Sequence, residues 1–139
     1  MQIQRIQTLF LLLAAVMTGM FCFFPYANLS VENGVAEKIL VSDTPVLMIL
    51  NLTITVLLLI TMFMYRNLKQ QMRMALLDAL LIIGSIITTL IYIYVGHADT
   101  VPAFDGGAIL LCLAEAFTFG AYRRMKHDKD LLASADRLR

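Results

Sequence analysis

The sequence predicts an all-α membrane protein, a bundle of four transmembrane helices with both chain ends in the cytoplasm. Three observations support this fold class. The 139-residue chain is 60% hydrophobic and only 15% charged, whereas a soluble domain is about half apolar and a quarter charged. Its apolar residues are gathered in four runs of nearly 20 residues each, the length that crosses a bilayer. Its basic residues are concentrated in the segments that all fall on one predicted side of the membrane.

The four apolar runs lie at about residues 6–24, 46–65, 74–95 and 104–122, so residues 1–122 form the predicted transmembrane domain. The first run also has features of a signal peptide. Its apolar core is longer than the about 7–15 residues of a signal peptide, however, and no small-residue cleavage site follows it. We therefore predict an uncleaved helix here.

The longest polar connection, residues 27–44, follows the first predicted helix. Asn33 and Gly34 lie near its centre, between two segments of high strand propensity. Asn-Gly favours a two-residue hairpin turn, because both residues tolerate a positive φ. A short β-hairpin is therefore predicted in this outer loop. A structureless loop is the alternative, since an isolated hairpin is only marginally stable in water.

The basic turn Arg66–Arg73, between the second and third runs, sets the predicted orientation. Cytoplasmic loops of membrane proteins carry an excess of Lys and Arg. With this turn inside, all but Lys38 of the 11 Lys and Arg residues lie on the cytoplasmic side. The predicted topology is N-in and C-in.

Composition and motifs narrow the classes of function. The net charge is +1, and the basic residues are segregated by membrane side rather than gathered in a binding stripe, so no nucleic-acid partner is expected. We find no nucleophile with a base, no metal-ligand spacing, no phosphate loop and no nucleotide fingerprint. We therefore expect neither enzymatic activity nor a cofactor. Cys22 and Cys112 lie within apolar runs and are predicted to be small buried hydrophobic residues.

Small and polar residues recur on one face of each predicted helix. They are expected to face the bundle interior, because helices in lipid associate by close packing and interhelical hydrogen bonds. The predicted interior residues are Thr8, Ala15, Gly19, Cys22, Tyr26, Asn51, Thr55, Asp78, Ser85, Thr89, Tyr92, Ala108, Cys112, Glu115, Phe119 and Tyr122.

Asp78 and Glu115 are carboxylates within apolar runs, where an acidic residue costs about 3 kcal/mol at the bilayer centre. They lie about 6 Å and about 10 Å above the predicted cytoplasmic boundary, so we expect both in the cytoplasmic half of the bilayer. Ionisable residues at such positions are candidates for a functional site. They either lock the helices in register, relay protons or cations, or line a ligand pocket.

A basic partner for these carboxylates is expected at the membrane edge of the first helix. We hypothesise that Arg5 pairs with Asp78, and that Gln4 or Gln7 completes this intramembrane polar cluster. The long side chain of arginine can reach inward from such an edge or outward to the headgroups. Arg123 is the alternative partner for Glu115.

Residues 123–139 form a predicted cytoplasmic tail helix. Its leucines share one apolar stripe, and its basic residues are attracted to anionic lipid at the inner leaflet. The tail is interpreted either as an ordinary basic anchor at the cytoplasmic side followed by a solvated helix, or as a helix that docks on the membrane surface or on a cytoplasmic partner subunit. The candidate docking residues are Arg123, Arg124, Lys126, Leu131, Leu132 and Leu138.

Two terminal stretches carry a family resemblance: residues 1–13 (MQIQRIQTLFLLL) and residues 134–139 (SADRLR). With the four-run layout between them, they resemble a family of small inner-membrane proteins of Bacteroidetes-type bacteria, catalogued as domain of unknown function 4293. The resemblance implies a four-helix fold in a bacterial cytoplasmic membrane and no assigned activity. It also identifies Gln4, Arg5 and Gln7 as motif positions.

The function predicted from the sequence is that of a non-catalytic accessory or structural subunit of a larger inner-membrane complex. Its expected partners are the lipid bilayer and other membrane subunits or further copies of itself. The alternative is a small proton- or ion-coupled transporter that acts as an oligomer through Asp78 and Glu115. Prolines at helix ends only, rather than at the midplane, favour the accessory role. A quinone- or lipid-binding bundle is a third hypothesis.

Overall fold

The computed structural model describes the backbone of residues 2–30, 36–96 and 102–138, and the side chains of residues 6–29, 37–95 and 105–138. The described chain is mostly helical, as predicted. Its helices are α1 (Gln2–Phe21), α2 (Pro45–Phe63), α3 (Leu68–Gly96) and α4 (Gly106–Arg137). Its strands are β1 (Pro25–Ser30), β2 (Ala36–Leu40) and β3 (Pro102–Phe104), and a short 3-10 helix spans Val41–Asp43.

The four helices pack as a closed ring. α1 lies mainly against α2 and α4, and α3 lies mainly against the same two helices. The short turn between α2 and α3 makes these neighbours antiparallel. The end that carries this turn also holds the start of α1 and the end of α4. We call it the turn end, and the opposite end, which carries the strands, the sheet end.

The buried residues of α2 and α4 are spaced alternately by three and four positions. This spacing is typical of the left-handed packing found in most transmembrane bundles. In α4 the buried positions are Gly107, Leu111, Ala114, Thr118, Ala121 and Met125. In α2 they are Leu47, Asn51, Ile54, Leu58 and Thr61.

The helix ends differ from those predicted, because polarity and helix length are separate properties. α3 begins at Leu68, so most of the basic turn is helical, and only residues 64–67 form the connection. Lys, Gln, Met and Arg are all good helix formers. α1 ends at Phe21, where the chain turns into β1. α4 begins at Gly106, where the side chain of Asp105 accepts a 2.6 Å hydrogen bond from the Gly106 N–H.

The predicted separate tail helix is instead a continuation of α4. This helix runs for 32 residues without interruption to Arg137. Met125, three residues beyond the predicted membrane boundary, is fully buried in the bundle core. Residues 129–138 are exposed. The first turn of the predicted tail is therefore part of the bundle.

The strands form one antiparallel sheet in the order β2-β1-β3. Ala27 of β1 pairs with Ile39 on one side and with Phe104 on the other. The pairing of β1 with β2 agrees with the predicted hairpin, whose Asn33-Gly34 turn lies outside the described residues. β3 was not predicted, because it is three residues long and its pairing joins segments far apart in the sequence.

Two of the described helices, Pro45–Phe63 and Leu68–Val95, are long and apolar enough to cross a membrane, with mean hydropathies of 2.5 and 2.3. The apolar part of α1, Ile6–Phe21, is shorter. In α4 the apolar part ends before Arg123 and contains Glu115, and at roughly 17 residues it matches only the shortest spanning helices. By length and apolar composition, two spans are found among the described residues, where four were predicted.

Candidate functional site

Asp78 lies fully buried on α3, facing α2. The Thr61 hydroxyl, in the last turn of α2, lies 2.6 Å from Asp78 Oδ2 and donates a hydrogen bond to it. The same hydroxyl is 2.9 Å from the carbonyl oxygen of Leu57. Gln71, two turns before Asp78 on α3, donates its amide to the Thr61 carbonyl at 3.1 Å. We call Gln71, Thr61 and Asp78 the Asp78 cluster.

The hydrogen bonds of the Asp78 cluster involve only one of the two carboxylate oxygens of Asp78. Asp78 Oδ1 is buried and has no hydrogen-bond partner, and the same holds for Glu115 Oε2 on α4. Asp78 Oδ1 and Glu115 Oε2 are therefore not hydrogen-bonded to each other. A buried acceptor without a partner is costly, and a carboxyl group in this state can take up or release a proton. This is the chemistry that the site offers.

The predicted basic partner of Asp78 cannot be placed, because the side chains of Gln4 and Arg5 lie outside the described residues. Gln7 is described, and it has a different role from the one expected. Its buried amide donates a hydrogen bond to Asp128 Oδ2 on α4. Gln7 thus joins α1 to α4 near the turn end rather than completing the Asp78 cluster.

The alternative pair of Arg123 with Glu115 is not formed among the described side chains. Both residues lie on the same uninterrupted helix, eight positions apart. At 1.5 Å per residue they are separated by about 12 Å along the axis. Arg123 is exposed, so its side chain lies outside the bundle core.

Two further polar contacts join neighbouring helices. Asn51 Nδ2 of α2 donates to Ser85 Oγ of α3 at 2.9 Å, and the hydroxyls of Thr18 and Thr55 lie 2.9 Å apart between α1 and α2. Asn51, Thr55 and Ser85 lie on the predicted interior faces. Thr18, Thr61 and Gln71 were missed, although the alternating spacing of three and four from Ala14, Asn51 and Asp78 would have found them.

The predicted interior face of α4 is partly wrong. Cys112 and Phe119 are exposed on the bundle surface, whereas the buried face is rotated toward Ala114 and Thr118. Small residues at these positions let α1 approach closely, and Phe117 stacks on Phe10 of α1 with ring centres 6.0 Å apart. Cys22 is buried, as predicted.

The candidate docking residues at the end of α4 are accessible. The exposed fractions of Leu131, Leu132 and Leu138 are 48%, 61% and 90%. Arg123, Arg124 and Lys126 are exposed as well. Leu131, Leu132 and Leu138 share one side of the helix, which we call the leucine face.

Other site types are not evident in the described part of the chain. Within it, no group of three His, Cys, Asp or Glu side chains is arranged to hold a metal ion. An apolar groove of about 370 Å³ runs between α3 and α4 near the sheet end. Its lining includes Ile86, Leu90 and Ile109 together with the polar residue Thr89.

The comparison with protein families identifies the chain. A model described as "Domain of unknown function (DUF4293)" matches residues 3–138. The chain belongs to the DUF4293 family. The match takes in all four helices, the Asp78 cluster and the leucine face, so these features lie within the DUF4293 domain itself. No curated protein matches the chain, and no solved structure matches it either.

Proposed function

We propose that this DUF4293 protein is a four-span protein of a bacterial cytoplasmic membrane and serves as a non-catalytic accessory subunit of a larger membrane complex. The outward faces of α2 and α3 support the membrane location. They carry exposed large apolar residues along most of their length, among them Ile49, Val56, Ile60, Leu80 and Ile87. A soluble protein rarely exposes apolar surface of this extent, whereas lipid covers it without cost.

The distribution of charge supports the N-in and C-in topology. Arg66, Lys69 and Arg73 lie at the turn end of the bundle, and Lys126 and Lys129 of α4 lie at the same end. The sheet end carries both signs of charge, with Glu37, Lys38 and Asp43. A turn end in the cytoplasm satisfies the preference for Lys and Arg inside.

The short apolar part of α1 is compatible with this topology. The apolar part of α1 spans about 24 Å, less than the hydrocarbon core of about 30 Å. Such a helix is accommodated by local thinning of the bilayer or by neighbours that cover its ends. Here Phe21 at the end of α1 packs with Tyr26 and Ala27 of β1, and Gln7 near its start contacts Asp128 in the continuation of α4.

The leucine face is the observation that carries the accessory role. A long helix that leaves the bundle and ends in exposed leucines beside basic residues is suited to dock on another subunit or on the membrane surface. Several polar side chains pair between neighbouring helices, namely Asn51 with Ser85, Thr18 with Thr55 and Thr61 with Asp78. Helix packing is sufficient to explain these pairs.

The accessory role is tested by purifying the full chain from its native membrane in mild detergent. We expect a stoichiometric set of further membrane subunits to accompany the wild-type chain. The triple variant L131S/L132S/L138S should lose them, because it removes the leucine face. The matched control D130S/R137S alters the opposite side of the same helix at unchanged net charge, and it should retain them. Isolation of the wild-type chain as a homo-oligomer alone would contradict the accessory role.

A carrier or channel is the second candidate, and the unpaired carboxylate oxygens of Asp78 and Glu115 favour it. Against it stands the continuity of the described helices. Transporters often place binding sites where helices are broken near the midplane. Here Pro25 starts β1, Pro45 starts α2 and Pro102 starts β3, and Gly84 lies within the uninterrupted helix α3.

The substitution Asp78→Asn separates the two candidates. Asparagine keeps the shape of the side chain and can still accept the Thr61 hydrogen bond, so we expect the variant to fold and to assemble like the wild type. Proton flux into vesicles should equal that of protein-free vesicles for both chains. If the wild-type chain conducts protons and D78N abolishes the flux while remaining folded, the carrier replaces the accessory subunit.

A further inference from the structure

An open groove of about 370 Å³ lies between α3 and α4 at the turn end of the bundle. Its walls are built from Lys69, Met72, Arg73, Leu76, Tyr122 and Lys129. The four residues of α3 are spaced i, i+3, i+4 and i+7, and the two of α4 are spaced i and i+7, so each set lies on one side of its helix. The groove follows the seam between α3 and α4 for about two turns.

The charged side chains described in the groove lining all carry positive charge. Lys69, Arg73 and Lys129 contribute three positive charges, and none of the described lining residues is acidic. In the described part of the chain none of these three side chains takes part in an ion pair. A groove that gathers charges of one sign between apolar walls concentrates the opposite charge. The ligand that complements it is an anion.

The lining also changes from charged to mainly apolar along the groove, from the turn end of the bundle inward. Lys69 and Lys129 lie outermost on their helices, and Arg73 lies one turn further in on α3. Leu76 and Tyr122 lie innermost, about 10 Å from the two lysines along the axis. In the proposed membrane orientation the charged end is at the level of the headgroups and the innermost end meets the hydrocarbon, where a tyrosine commonly marks the interface.

We propose that this groove is a binding site for an anionic phospholipid of the inner leaflet. Its phosphate contacts Lys69, Arg73 and Lys129, and the first part of its acyl chains lies against Met72 and Leu76. A soluble phosphate would satisfy the charges but leave the apolar inner half of the groove unused, which is why a lipid is the better match. Basic pockets between helices on the cytoplasmic side bind such headgroups in other membrane proteins. The inference rests on the proposed membrane location and is independent of the accessory role.

Native mass spectrometry of the full chain in detergent, titrated with phosphatidylglycerol or phosphatidylcholine, tests the site. We expect phosphatidylglycerol to bind at least about tenfold more tightly, because each basic side chain near an anionic lipid contributes a factor of about five. The variant K69Q/R73Q/K129Q should lose most of this preference. The single variant K129Q, at an exposed position, should lose part of it and guards against misfolding of the triple variant.

The control variant K38Q/R66Q/R137Q removes the same number of positive charges from exposed positions outside the groove. It should keep the wild-type preference for phosphatidylglycerol. An equal loss in the groove and control variants would overturn the site, because it would show a general effect of charge. Competition by inorganic phosphate as strong as that by the lipid would overturn the assignment of a lipid ligand.

The membrane location of the chain is measured separately by membrane fractionation. The proposed location and the proposed lipid site can therefore be contradicted by different results. A chain found outside the membrane fraction would remove the proposed location and the lipid site together. A chain that is membrane-bound, but whose groove variant binds phosphatidylglycerol like the wild type, would remove the lipid site alone.

Discussion

Replacing Gly107 with alanine is expected to destabilise the protein by about 3 kcal/mol. A Cβ atom at this position would lie 2.2 Å from the carbonyl oxygen of Pro25 and 2.9 Å from its carbonyl carbon. Both are backbone atoms of β1, so no side-chain rotation relieves the clash. Either α4 or the sheet must move. Thermal unfolding in detergent, followed by circular dichroism, measures the loss.

The adjacent glycine provides the matched control. A Cβ atom at Gly106 would meet nothing within 4 Å. We expect Gly106→Ala to leave stability unchanged or to raise it slightly, because alanine favours the helix. If both alanine variants unfold at the same temperature as the wild type, the close contact of α4 with β1 does not exist in the folded protein. That result would mean that the sheet does not pack closely against α4.

Replacing Met125 with alanine is expected to cost about 3 kcal/mol, because the substitution leaves a cavity in a packed core. Met125 is fully buried and belongs to the same core cluster as Leu11 and Ala121. It lies beyond the first arginines of the predicted cytoplasmic tail. The loss is measured by thermal unfolding of the purified variant under the same conditions.

Met20 allows the same substitution at a surface position, since 40% of the residue is exposed. We expect Met20→Ala to cost well under half of the loss at Met125. If Met125→Ala and Met20→Ala both lower the stability equally little, α4 leaves the bundle at Tyr122, as predicted from the sequence. A large effect confined to Met125 would establish that the bundle continues past the predicted membrane boundary.

Much of the fold was predictable because it depends on local composition. Long apolar runs without internal proline form helices in lipid, since every backbone group must be hydrogen-bonded within the segment. Asn33-Gly34 between two strand-forming segments indicated an antiparallel ribbon, and β1 pairs with β2. The helix ends were less accurate, because a run of Lys, Arg and Gln ends the apolar stretch without ending the helix.

The candidate site was only partly predictable for a related reason. The burial of Asp78 followed from its place in an apolar run, and Asn51 with Ser85 followed from their interior faces. The partner of Asp78 did not follow. Thr61 is one of several threonines in the sequence, and only the packing of α2 on α3 brings its hydroxyl to 2.6 Å from the carboxylate. The same packing gives Gln7 a partner on α4.

The residues alone are enough to establish that this protein is mostly helical and rich in apolar residues, and that it belongs to the DUF4293 family. These properties reside in local composition and in short motifs at both ends of the chain. Tertiary structure alone decided which face of α4 is buried, where β3 adds to the sheet and which basic residues share a groove with Tyr122. Each of these depends on how two distant segments approach one another. That approach is set by the sizes of facing side chains, such as the missing Cβ atom of Gly107, and not by the residues of either segment alone.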